Sequence, residues 1–174
     1  MLMNASGRYR NPKRMAALVA IACALVVAVA IFALTEQAPE TTSAESGFVN
    51  NLLVGLFGDI PGIYDAKSEL WFGIHIRHWA HTVEFGLLGL FVSIAALLAT
   101  KKGSLALPAL ASIGICAICS LVDQCHKLFV PGRHFDWFDL VMDAAGYISA
   151  TVIVIVVAAI VLAVKRGGGN DSPQ

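Results

Sequence analysis

The sequence predicts an all-α membrane protein. The fold class is a polytopic helical bundle of four transmembrane helices, with an interfacial amphipathic helix and a re-entrant or interfacial outer loop. Three observations lead there. Hydrophobic residues make up 57% of the 174-residue chain and charged residues 14%, against about 25% charged in a soluble domain. The mean hydropathy is +0.74. Four apolar windows each approach the roughly 20 residues that a helix needs to cross the hydrocarbon core. The same composition excludes a disordered chain, which would be charged and poorly hydrophobic. Lys and Arg together number 12, as do Asp and Glu. That balance argues against nucleic acid as a partner, since binding it needs a basic excess. Four Cys are too few for a disulfide scaffold.

Residues 1–14 form a basic N-terminus with Arg8, Arg10, Lys13 and Arg14. Residues 15–34 are an uncharged first span. The run exceeds the h-region of a signal peptide, and FALTEQ offers no A-x-A cleavage site, so it reads as an uncleaved anchor. Residues 35–73 form a loop. Its first part, TEQAPETTSAES, has the composition of a flexible segment. Within 47–58, Phe48, Val49, Leu52, Leu53, Leu56 and Phe57 share one helical face. This helix is too short to span, and either lies in the interface or packs on the bundle.

Residues 74–164 are the main membrane domain. Its spans are Ala80–Ala99, with Glu84 in the first turn; Leu105–Val122, with Pro108 near the start, where proline is tolerated; and Leu140–Val164, with Asp143 one turn in. The β-branched run TVIVIVVAAIVLAV resembles a strand, but its length and uniform apolarity favour a helix. The tail 165–174 reads as disordered. The positive-inside rule then orients the chain. One side carries eight bases and one acid, the other four bases and eleven acids. This predicts a multi-pass protein of the cell membrane with both termini cytoplasmic.

All five His and both span acids fall on the outer side or in the outer turns. Ionisable groups inside spans are costly and point to function. Arg77, His81 and Glu84 stand at i, i+4 and i+7, with His78 one position off that stripe. Glu84 sits deepest and needs a partner or a proton. Asp139 and Asp143 stand at i and i+4, with Gly146 at i+7 allowing close helix approach. The two stripes are expected to face each other, with Lys127 and Arg133 as counter-charges. Other readings stay open. The stripes could be salt bridges closing the bundle, Asp139 a helix cap and Asp143 a first-turn acid. Arg133 could pair with Asp136 or Asp139 only. No H-E-x-x-H or paired-Cys signature calls for a metal, and no cofactor is expected. Cys116 and Cys119 read as small packing residues.

The segments RHWAHTVEFGLLG and DQCHKLFVPGRHFDWFDLVMDAAG, separated by a hairpin of spans, resemble the VanZ-like family over roughly residues 70–160. The matching positions are Arg77, His81, Glu84, Asp123, Gln124, His126, Lys127, Pro131, Gly132, Arg133, Asp139, Asp143 and Gly146. The chain departs from the family pattern at Gln124, where an acid is usual, at Lys127, where Gln is usual, and at Phe85, where Tyr is usual. The resemblance implies a bacterial integral membrane protein, in a family whose founding member is associated with teicoplanin resistance. Three functions compete. The first is binding or modification of a membrane lipid or lipid-linked cell-wall precursor, with Arg77, Asp123, His126, Lys127 and Arg133 as binding residues. The second is an intramembrane enzyme working on a lipid headgroup. There His81 is the base, Glu84 its orienting group, Asp139 or Asp143 a second acid–base partner, and Arg77 or Arg133 the anion stabiliser. The third is a structural or partner protein held together by its polar stripes. Oligomerisation is left open.

Overall fold

The structure is a computed structural model that describes residues 12–37, 39–100 and 104–167. Helices α1 (Pro12–Thr35), α3 (Ile76–Ala99), α4 (Ala106–Lys127) and α5 (Trp137–Gly167) are each long and apolar enough to span a membrane. Between the first two lie α2 (Pro39–Phe57) and three two-residue strands, β1 (Tyr64–Asp65), β2 (Leu70–Trp71) and β3 (Ile74–His75). Connectivity places α2, the strands and the 128–136 loop at one end of the bundle, here termed the loop end.

Several boundaries differ from the sequence reading, and three of them bear on the site. Helix α2 starts at Pro39 rather than 47, so the segment expected to be flexible is helical. Proline suits a first helical position because its missing N–H has no intrahelical partner there. Helix α4 continues to Lys127 and α5 begins at Trp137. Asp123, His126, Lys127 and Asp139, expected in a loop, therefore lie on helices. Their charges stopped the hydropathy windows short of the helix ends. The expected flexibility of the C-terminal tail concerns mostly residues outside those described.

The strands form a meander of order β1-β2-β3, pairing Tyr64 with Trp71 and Leu70 with His75. Phe72 and Gly73 turn the chain between β2 and β3, both at positive φ, the conformation that a tight two-residue hairpin demands. Asn50 fastens α2 to this sheet. Its side chain accepts from the Tyr64 hydroxyl and donates to the Ala66 carbonyl. In the β1–β2 turn, the Ser68 side chain and the Lys67 amide hold the Asp65 carboxyl below its usual pKa. With Asn50 turned inward, Phe48, Leu52, Leu56 and Phe57 are exposed.

Ile31, Phe85, Leu88, Cys116 and Tyr147 form the core where the four long helices meet. Cys116 is thus a packing residue, as its surroundings suggested. Helices α3 and α5 approach most closely at glycine. A methyl group on Gly146 would lie 2.2 Å from the Thr82 carbonyl oxygen, and one on Gly89 would lie 2.7 Å from the Tyr147 Cα. Thr82 also donates to the Met142 carbonyl at 3.1 Å, and the Ser93 and Thr151 hydroxyls bond at 2.9 Å. Past Lys127, α4 unwinds through three i→i+3 bonds. Pro131 and Gly132, the latter at φ 78°, then turn the chain toward Asp136. The Asp136 carboxylate caps α5 by accepting from the Phe138 amide at 2.8 Å. The cap is thus Asp136, which frees Asp139 for contacts across the bundle.

Candidate functional site

Three helix ends meet at the loop end and enclose an ionic cluster. His75 caps α3 by accepting from the Arg77 amide, which starts the helix so that His78 and His81 face α5. On α4, Ser112, Cys116, Ser120, Asp123 or Gln124, and Lys127 recur every three to four residues, and all are buried. On α5, Asp139 and Asp143 lie one turn apart, as their spacing predicts.

Asp139 is the hub. Lys127 Nζ donates to its Oδ2 at 2.8 Å, and His78 Nδ1 lies 2.8 Å from its Oδ1. His81 Nε2 is 3.4 Å from the same Oδ2 and 3.4 Å from Lys127 Nζ. One turn deeper, Ser120 donates to Asp143 Oδ2 at 2.6 Å. His81 Nδ1 lies 3.2 Å from Asp143 Oδ1, close but poorly aligned, and neither atom has a hydrogen-bond partner among the described residues. On the other side Thr35 of α1 donates to Asp123 at 2.6 Å, and the second Asp123 oxygen lies 3.8 Å from Lys127. Asp123, Gln124, Lys127, Asp139 and Asp143 are fully buried. Such a cluster persists only while its charges are matched, because a buried ion without a partner costs several kcal/mol.

The structure thus brings together His81, Asp123, Lys127, Asp139 and Asp143. It adds His78, Ser120 and Thr35, which the sequence reading left out of the site. The three- to four-residue recurrence on α4 was a signal that could have found Ser120. Asp143, rather than Glu84, faces His81 Nδ1. His126 sits apart, paired with Glu36 and tilted against Phe32. Arg133 donates to the carbonyls of Leu34 and Gln37, which end α1.

Beside the cluster lies a cleft of about 480 Å³. Leu34 and Thr35 of α1, Val49 and Leu53 of α2, Trp71 of the sheet, and Ile76, Ala80 and Val83 of α3 give it mostly apolar walls. Arg77, His81, Glu84, Lys127 and Arg133 also line it. Among the described residues, Arg77 has an ion pair only at 4.0 Å, with Asp139, and its buried Nε lacks an acceptor, as does Trp71 Nε1. Half-buried Glu84 makes no hydrogen bond with any described residue. The cleft therefore offers donors to an acceptor-rich group and one carboxylate, within walls that suit hydrocarbon.

Among the described residues, His78, Asp136 and Asp139 bring ligand atoms within 4.8 Å of one another. Lys127 already compensates Asp139, however, and Arg77 stands nearby, so the charge that would attract a cation is largely spent.

The VanZ/LLP1 family model matches residues 19–159, most of the chain. The chain belongs to the VanZ/LLP1 family. The match covers the cluster, the cleft, all of α3 and α4, and most of α1 and α5. No curated protein and no solved structure matches the chain. In this VanZ/LLP1 protein, therefore, the site is defined by its own geometry.

Proposed function

We propose that this VanZ/LLP1-family protein binds the phosphate of an anionic lipid or lipid-linked envelope component in the cleft. The loop end faces outward from a bacterial cell membrane, and both termini are cytoplasmic, as the charge asymmetry of the sequence supports. The carrying observation is an apolar-walled cleft whose lining includes Arg77, with its Nε unmatched, and the unmatched Trp71 Nε1. Guanidinium is well suited to a phosphate. Arg133, although cationic and at the same cleft, already donates to the end of α1, so Arg77 is the phosphate ligand.

A hydrogen bond to a charged group contributes about 1.5–3 kcal/mol. Purified protein should therefore bind phosphatidylglycerol in mixed micelles over diacylglycerol, and Arg77→Ala should weaken that binding about tenfold or more. Equal binding by wild type and variant would remove the reading. In cells, loss of the same arginine should change susceptibility to teicoplanin at unchanged membrane levels of the protein.

A structural reading also has an observation behind it. The Lys127–Asp139–His78 contacts join α4, α5 and α3, so the cluster fastens the bundle. That role is compatible with binding next door and leaves Arg77 and Glu84 unexplained.

A further inference from the structure

An arginine and a glutamate line the cleft with hydrogen-bonding capacity left over. His81 and Lys127 contact Asp139, and Arg133 donates to backbone carbonyls. Arg77 keeps an unmatched Nε, and Glu84 has no hydrogen bond with any described residue. Both stand on α3 at i and i+7, the same stripe, separated by about 10 Å along the axis at 1.5 Å per residue. The reach of the two side chains shortens the gap between their charges.

A ligand that is only anionic would satisfy Arg77 and leave Glu84 facing it unpaired. A cation alone would do the reverse. We infer that the occupant is a lipid whose headgroup carries both a phosphate and a primary ammonium, with phosphate on Arg77 and Trp71 and ammonium on Glu84. This rests on the phosphate-binding reading above: the phosphate stays on Arg77, and the headgroup becomes zwitterionic rather than net anionic. The ammonium supplies N–H donors that a carboxylate accepts at short range, which a quaternary ammonium lacks. The apolar wall of Val49, Leu53 and Val83 takes part of an acyl chain. At about 480 Å³ the cleft is in the range of small-molecule sites, with room for a headgroup and a stretch of one chain.

The test is competition binding by the purified full chain in mixed micelles. Probes are phosphatidylethanolamine, phosphatidylglycerol, phosphatidylcholine and soluble phosphoethanolamine. Phosphatidylethanolamine should bind about tenfold more tightly than phosphatidylglycerol or phosphatidylcholine. Glu84→Gln, close in size and with no hydrogen bond to lose, should keep the melting temperature and erase that preference. Arg77→Gln should weaken all three lipids. If phosphatidylglycerol binds as tightly as phosphatidylethanolamine and Glu84→Gln leaves their ratio unchanged, the ammonium assignment falls while phosphate binding stands. If no lipid responds to Arg77→Gln, both fall. Phosphoethanolamine binding as tightly as the lipid would overturn the lipid as occupant; much weaker binding supports it.

Discussion

Where α3 meets α5, Gly86, Gly89 and Gly146 bring the two backbones together, and Asp139 locks the loop end of the seam to His78, with Asp143 close beside His81. Where α1 meets the bundle, its buried residues are few: Ala20, Ile31 and Thr35. Its end is instead held by polar contacts: Thr35 to Asp123, Glu36 to His126, and the Leu34 and Gln37 carbonyls to Arg133. The cleft lies between these two regions, with α3 as one wall and the end of α1 as another. The ionic cluster is built for permanence, whereas the α1 wall rests on separable contacts. On the proposed lipid-binding function, the ligand meets a fixed side and an adjustable one.

The largest expected effect is at the hub. Asp139→Ala should destabilise the protein by about 3–5 kcal/mol, because Lys127 and His78 lose their nearest carboxylate inside the bundle. Denaturant titration in detergent measures it. The double variant Asp139→Leu with Lys127→Met should recover part of the loss, since apolar replacement of a whole buried pair is often neutral. A single variant that unfolds like wild type would erase the contrast between the two regions.

Gly146→Ala tests the other half of the seam. The new methyl would meet a backbone carbonyl and a backbone amide, neither of which can swing away as a side-chain tip can. The cost expected is about 3 kcal/mol, the upper part of the range for overpacking. The same substitution at Gly114, where a methyl would meet open space, should leave the melt unchanged or raise it. Equal effects at the two glycines would mean that α3 and α5 are not in backbone contact.

The four spans were legible because length and apolarity dominate a membrane chain, and the convergence of His81, Asp139 and Asp143 was legible from helical spacing. What escaped has physical reasons. Asp123 and Lys127 lie on the last turns of α4, but charge disqualifies a residue from an apolar window even when its neighbours neutralise it. Ser120 and Thr35 read as ordinary small polar residues, because a hydroxyl marks no partner until the facing helix is placed. His78 is off the Arg77–Glu84 stripe, yet α5 crosses close enough to meet both faces. The small sheet depends on a turn through Phe72 and Gly73, and the hairpin signal in ELWFG is weak when strands are only two residues long. Arg133 was expected to seek an anion. It found carbonyls at the end of α1, which carry the negative end of the helix dipole.

The smallest effect on stability should come from α1, and it separates holding from binding. Thr35→Val keeps the shape of the side chain and removes the hydroxyl that Asp123 accepts from. The buried Asp123 oxygen then lacks its donor, at a cost of about 1–2 kcal/mol. Lys127 lies 3.8 Å from the other Asp123 oxygen and limits the loss. Thr35 also lines the cleft, so the variant should change lipid affinity more than the melting temperature changes. The measurement is a denaturant titration beside the micelle competition assay. A variant that loses stability with unaltered affinity would make α1 a mere anchor. Altered affinity at near-native stability would identify its end as the adjustable wall.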